Sequence, residues 1–313
     1  MCGIAGYWNK DGEGAATGQV MLSMLCALAC RGPDSAGVAV IGPQAEVGQA
    51  GIWSVRLAGS SRGVLTRLKL LGEVVATDTA ATHDPRDNTL RFHFRPAPGT
   101  TPADVEKALS VRRGSLEVLG LGTRLDLVKQ VGAPEDLEAI HEISRWHGPL
   151  AIGHTRMSTE SRIDLSHSQP FWAHGVLDLA TVHNGHVTNY HQLRRRYEQQ
   201  GITFYTDNDS EVIGVYLQDR LMAGRTLQEA LADSIDDLDG AFNYLVVSTE
   251  GLGVVRDRFG FKPLVLAETD EFVAVATEEI ALRQAIPGDY VACEPPAGAV
   301  VFFPLPALQL SLA

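Results

Sequence analysis

Cys2 follows Met1 directly in the opening run Met-Cys-Gly-Ile-Ala-Gly-Tyr. A start methionine before a small side chain is ordinarily trimmed, which would leave a thiol and a free α-amine on one residue. An α-amine has a pKa of about 7.7–8.0 and a thiol about 8.5, so the amine can take the thiol proton near neutral pH. That is a nucleophile carrying its own base, sufficient for covalent catalysis without a separate histidine. Other stretches hold groups that such a nucleophile would need. His183-Asn184-Gly185-His186 sets a side-chain amide beside a glycine N–H, two neutral donors able to converge on a developing oxyanion. Taken alone, the same pair is an ordinary Asn-Gly turn. Gly153-His154-Thr155-Arg156 places a guanidinium just past an apolar run, where it can fork onto a carboxylate or form a structural salt bridge. Thr206-Asp207-Asn208-Asp209-Ser210-Glu211 offers carboxylates for a substrate ammonium, or a helix cap with an acidic first turn. Arg31-Gly32-Pro33-Asp34 opens a turn-rich loop.

The elements that must position these groups follow from the apolar pattern. Residues 2–8 read as an opening strand and 19–30 as an amphipathic helix, followed by strands at 36–41 and 51–57. From 64 to 143 the texture changes to a β-β-α-β-β-α run without chemically useful clusters, which reads as an inserted subdomain. Its second strand pair is expected at 116–121 and 124–131. The main body resumes at Pro149 with buried strands at 150–154 and 176–183, helices at 209–223 and 226–235, and then six short strands. Strands, then helices, then strands indicate a mixed α+β architecture rather than a doubly wound parallel sheet.

Composition narrows the function classes. A formal net charge of −12 over 313 residues argues against a nucleic-acid or anionic-membrane surface. No run approaches the roughly 20 apolar residues that span a bilayer. The first residues lack the basic and apolar regions of a signal peptide, so a cytoplasmic location is expected. Cys26 and Cys30 share a helix face, but no second Cys/His pair stands near, so no metal site is expected. No glycine-rich phosphate loop is present.

In this order, residues 1–6, 31–37, 153–159, 169–171, 183–185, 207–211, 256–264 and 276–279 resemble the class II glutamine amidotransferases, members of the N-terminal nucleophile hydrolases. The resemblance implies the Ntn-hydrolase fold, a four-layer α/β/β/α sandwich of two mostly antiparallel sheets, here with the inserted α+β subdomain. It also implies roles. Cys2 would attack the side-chain amide of glutamine, and Asn184 with the Gly185 N–H would hold the oxyanion. Arg156 would bind the α-carboxylate and Asp209 the α-ammonium. Arg31 would organise the loop near the nucleophile, and Thr159 and His183 complete the substrate-binding set. The chain departs from many relatives in having Met157-Ser158-Thr159 after the arginine. Ser158-Thr159 and Gln169-Pro170-Phe171 look more like the glutamate-synthase branch, while Asn208-Asp209-Ser210-Glu211 looks more like the sugar and purine branch. What this implies is a glutaminase subunit serving a separate synthase of the glutamate-synthase or N-methylglutamate-synthase type. No cofactor is expected in this chain, with FMN and iron–sulfur on partner chains. A stand-alone γ-glutamyl amidohydrolase and a silent glutamine sensor or scaffold are the alternatives.

Overall fold

The computed structural model describes residues 2–12, 16–43, 51–59, 64–77, 89–109, 116–158 and 162–306. Met1 and Thr159 lie outside them. In chain order the strands are β1 (Gly3–Asn9), β2 (Ser35–Ile41), β3 (Trp53–Gly59), β4 (Gly72–Thr77), β5 (Thr89–Pro96), β6 (Leu116–Gly122), β7 (Leu125–Val131) and β8 (Leu150–Arg156). There follow β9 (Phe171–Trp172), β10 (Ala180–Val187), β11 (Gly240–Ser248), β12 (Gly251–Arg256), β13 (Val265–Glu268), β14 (Phe272–Ala276), β15 (Ala292–Cys293) and β16 (Val300–Pro304). The helices are α1 (Thr17–Ala27), α2 (Val64–Arg67), α3 (Pro102–Leu109), α4 (Pro134–His141), α5 (Tyr190–Gln199), α6 (Glu211–Met222), α7 (Leu227–Asp237) and α8 (Glu279–Ala285).

Two antiparallel sheets form the body. One is seven-stranded, in the order β15-β13-β14-β1-β8-β2-β7, and the other five-stranded, β16-β12-β11-β10-β9. The period-2 alternation of each strand decides which layer a side chain joins. On β1, Ile4 and Trp8 enter the core between the sheets, while Ala5 and Tyr7 pack under α1 with Met21, Met24 and Leu25. On β11, Leu245 and Val247 face the other sheet, and Phe242, Tyr244 and Val246 face α6 and α7. The result is helix, sheet, sheet, helix: the four-layer Ntn-hydrolase sandwich that the sequence led us to expect.

A third sheet, β4-β5-β3-β6, makes up the added unit. Its membership differs from the sequence reading at both ends. β3 belongs to it, although residues 51–57 read as part of the main body. β7 does not: it pairs with β2 along its whole length, Ser35 opposite Val131 and Ile41 opposite Leu125. The reason lies in the turn after Gly122. The Asp178 carboxylate accepts hydrogen bonds from the backbone N–H of Arg124 (2.7 Å) and Leu125 (2.8 Å) and from Thr123 Oγ1 (2.7 Å). That grip redirects the chain from one sheet into the other where a hairpin was expected. The expected strand 176–183 likewise begins later, at Ala180, and the run at 65–75 divides into α2 and β4.

His174 is a second tie to the third sheet's unit. It is 6% exposed, with Nδ1 2.7 Å from Glu106 on α3 and Nε2 3.2 Å from Glu211 on α6. Burial opposes the imidazolium, but the two carboxylates outweigh it and raise the pKa from 6.5 to about 10. A pKa raised by folding gives stability that is full below the unfolded value and is lost as pH climbs through the folded one. The stability advantage of the wild type over His174→Gln is therefore expected to be constant below pH 6.5 and to shrink from there towards pH 10. Urea midpoints across that range measure it. An advantage that instead grew with pH would mean that His174 is neutral.

Candidate active site

Pairing of β1 with β8 sets Gly3 opposite Thr155, so Cys2 lies at the same sheet end as Arg156, the last residue of β8. The loop after α1 closes over this end. Asp34 N donates to Arg156 O at 3.0 Å, and the Asp34 carboxylate accepts Ser158 N at 2.6 Å. Gly32 is required by this approach, because a Cβ there would stand 2.3 Å from the Thr155 carbonyl carbon. Arg31 donates through Nε to the Cys2 carbonyl at 3.3 Å and pairs with Glu278 through Nη1. It thus grips the backbone of the candidate nucleophile and is not among the residues lining the pocket.

From the second sheet, β10 contributes Asn184 and Gly185. Asn184 sits opposite Asn243 and shares the inter-sheet face with Val182 and Leu245. It is 3% exposed, yet its Nδ2 has no hydrogen-bond partner among the described residues. A buried donor left unpaired costs about 1–3 kcal/mol, so its retention calls for a functional explanation. Gly185 adopts φ +140°, in the region that favours glycine, and a Cβ would come within 2.2 Å of the Ala241 carbonyl oxygen. Both positions keep donors available at one end of β10.

His183 faces the other way. Gln169 brackets its backbone, accepting His183 N at 2.6 Å and donating to His183 O at 3.0 Å. The His183 ring meets Ser210 Oγ through Nδ1 at 2.7 Å and packs on Phe242. Burial lowers its pKa, partly countered by Asp209. His154, at the centre of β8, is buried and held down at about 3, mainly by desolvation. Neither histidine is charged near neutral pH. Burial also pushes the Cys2 thiol above its usual range, while Sγ makes a weak hydrogen bond to Met157 O at 3.7 Å. The resting group is therefore a thiol, and attack needs a base.

One pocket of about 130 Å³ lies among these elements, lined by Cys2, Arg156, Met157, Ser158, Gln169, His183, Gly185, His186, Tyr190 and residues 207–210; Asn184 and His154 are not in its lining. It is smaller than the roughly 300–1,000 Å³ clefts that take drug-sized ligands, so it suits one small molecule. Its charges are of opposite sign. Arg156 is buried, donating to Arg162 O at 2.8 Å and to Ser158 Oγ at 3.4 Å. Asp209 is aimed by the Val187 N–H, which donates to its carboxylate at 2.8 Å. A thiol, a cation, an anion and neutral donors suffice to bind a zwitterion and attack its carbonyl carbon. Sequence reasoning missed the parts that act through others. Gln169, Ser210 and Glu278 were legible only as residues of short matched segments, while Asn243, whose Nδ2 donates to Lys262 O at 3.2 Å and Pro263 O at 3.1 Å, carries no local signal.

The chain is similar to several known proteins. The glutamine amidotransferase domain family matches residues 154–284. The chain is 36% identical over 288 residues to a putative glutamine amidotransferase of Methanothermobacter thermautotrophicus, covering 91% of this chain and 93% of that one. It is also 36% identical over 283 residues to a glutamine amidotransferase-like protein, GlxB, of Rhizobium meliloti, covering 90% and 91%. In fold it is similar to the glutamine phosphoribosylpyrophosphate amidotransferase of B. subtilis, with a TM-score of 0.60 and 22% identity over 96% of this chain and 47% of that chain. With these near full-length relatives the chain belongs to the glutamine amidotransferases, and it has the Ntn-hydrolase fold.

Proposed function

We propose that this enzyme is a glutaminase subunit that hydrolyses L-glutamine and delivers ammonia to a separate synthase. In this reading Cys2, freed of Met1, attacks Cδ of the glutamine amide, and its own α-amine accepts the thiol proton. Asn184 Nδ2 and the Gly185 N–H stabilise the tetrahedral oxyanion. Collapse breaks the C–N bond, the amine's proton goes to the leaving nitrogen, and ammonia departs. Water then attacks the γ-glutamyl thioester, and glutamate leaves as the thiol is restored. Arg156 holds the α-carboxylate and Asp209 the α-ammonium. The observation that carries this reading is the buried Asn184 Nδ2, which has no hydrogen-bond partner among the described residues, next to the pocket-lining Gly185.

The acceptor is read from Ser158-Thr159 and Gln169-Pro170-Phe171, which favour a synthase of the glutamate-synthase or N-methylglutamate-synthase type. FMN and iron–sulfur would then sit on partner chains. Release of glutamate and ammonia from glutamine, compared with asparagine and other γ-glutamyl amides, tests the substrate. Preference for glutamine, with turnover raised by co-purifying chains, is the expected result. Equal use of other γ-glutamyl amides without a partner would favour the stand-alone amidohydrolase, and binding without turnover the sensor.

Arg156→Ala is expected to raise KM for glutamine on the order of 10–100-fold, the loss of about 1.5–3 kcal/mol of charged hydrogen bonding, with kcat little changed. Steady-state kinetics decide it. A fall in kcat alone would remove Arg156 from substrate binding.

A further inference from the structure

The loop that carries Asp209 is held by Glu211. Its Oε1 accepts Tyr205 N at 2.8 Å, and its Oε2 accepts Thr206 N at 2.9 Å and Thr206 Oγ1 at 2.7 Å. Thr206 Oγ1 in turn accepts Asn208 N at 3.0 Å, and Asn208 Oδ1 accepts Ser210 N at 3.0 Å. The pocket wall at 207–210 is thus bonded back, link by link, to one buried carboxylate. That carboxylate is bonded to His174, whose other ring nitrogen meets Glu106 on α3 of the added unit. Tyr205 closes the junction, stacking on His174 at 5.0 Å and donating its hydroxyl to Glu106 at 3.1 Å. With a carboxylate at each nitrogen, both sites of the ring must donate, which only the imidazolium can do. Beside this junction the buried Lys129 stands 3.6 Å from Glu117 on β6, with its ammonium over the Phe171 ring. The added unit thus sets Glu106 against His174 and Glu117 against Lys129.

We propose that His174 is a positioning residue through which the β3–β6 unit sets the affinity of the glutamine pocket, by fixing Glu211 and hence the loop bearing Asp209. The proposal rests on the glutaminase reading for the pocket it acts on. The mechanism is electrostatic and local. Glu106 fixes the ring of His174, the ring fixes Glu211, and Glu211 fixes the backbone of 205–206. A partner chain that displaced α3 would loosen this chain of bonds and weaken glutamine binding without touching the pocket.

Glu106→Gln in the full-length protein tests this, because it keeps the shape of the side chain and lies outside the pocket lining. Glutamine KM is expected to rise roughly tenfold with kcat within about twofold, in the range of coupling between sites. Hydrogen exchange of the 205–206 amides should quicken roughly tenfold while that of β1 and β8 stays unchanged. Alkylation of Cys2 by iodoacetamide, which needs no glutamine contacts, should keep its rate. His174→Gln is the second variant and should reproduce the pattern.

Unchanged exchange at 205–206 would overturn the link, and faster exchange with unchanged KM would reduce it to scaffolding. If the wild type turned over no glutamine, the glutaminase reading would fail. Exchange would then judge the link alone, acceleration confined to 205–206 supporting it and none overturning it.

Discussion

Cys2→Ala is expected to abolish glutamine turnover, a loss of at least about 10⁴-fold, while glutamine binding stays within a few-fold of the wild type. The other hydroxyl–imidazole pair in the pocket lining is Ser210 with His183, and Ser210 Oγ is already engaged by Gln169 Nε2 at 3.1 Å as well as by the ring at 2.7 Å, a structural role that leaves Cys2 as the expected nucleophile. Alanine also leaves the binding groups in place, since Arg156 and Asp209 are oriented by Arg162, Ser158 and Val187 and not by the thiol. The thiol's own structural role is one long contact to Met157 O, so the fold should not change. Calorimetric titration with glutamine beside a glutamate-release assay measures both halves. Residual turnover above a hundredth of the wild-type rate would point to another nucleophile.

Asn184→Ala is expected to cost on the order of 10²–10³ in kcat, about 2.7–4 kcal/mol, as loss of one oxyanion donor does in other enzymes. KM should move little, because the interaction strengthens only as charge develops on the oxygen. Stability should go the other way. Asn184 Nδ2 has no partner among the described residues, so its removal relieves a buried unsatisfied donor, and the melting temperature should hold or rise. Activity falling while stability holds is the signature of a group kept for the transition state. A variant that lost both together would place Asn184 in the architecture of β10.

The candidate site residues were legible because each stands in a short local pattern. Cys2 is marked by its position, Asn184 by the glycine after it, Arg156 by the apolar run before it, and Asp209 by its acidic neighbours. The layers were legible only through the family resemblance, because β1 and β11 are buried on both faces and their own pattern does not say which layer each face joins. Sheet membership was less so. Whether 125–131 pairs with its neighbour β6 or with the distant β2 is settled by Asp178, which holds the turn from far along the chain. Nothing local marks it. The ion partners Glu106, His174, Lys129 and Glu117 were invisible too, because each reads as a solvated surface residue until packing buries it beside a partner, and Glu211 was legible only as part of the acidic 206–211 stretch.

The central claim is that Cys2, as the first residue of the active enzyme, attacks the side-chain amide of glutamine. Intact mass of the purified protein before and after diazo-oxo-norleucine, a glutamine-shaped electrophile, tests it directly. The expected result is a chain lacking Met1 that gains one adduct, mapped to Cys2, with excess glutamine slowing its formation. A chain that keeps Met1 and gains no adduct, or one modified elsewhere, would contradict the mechanism.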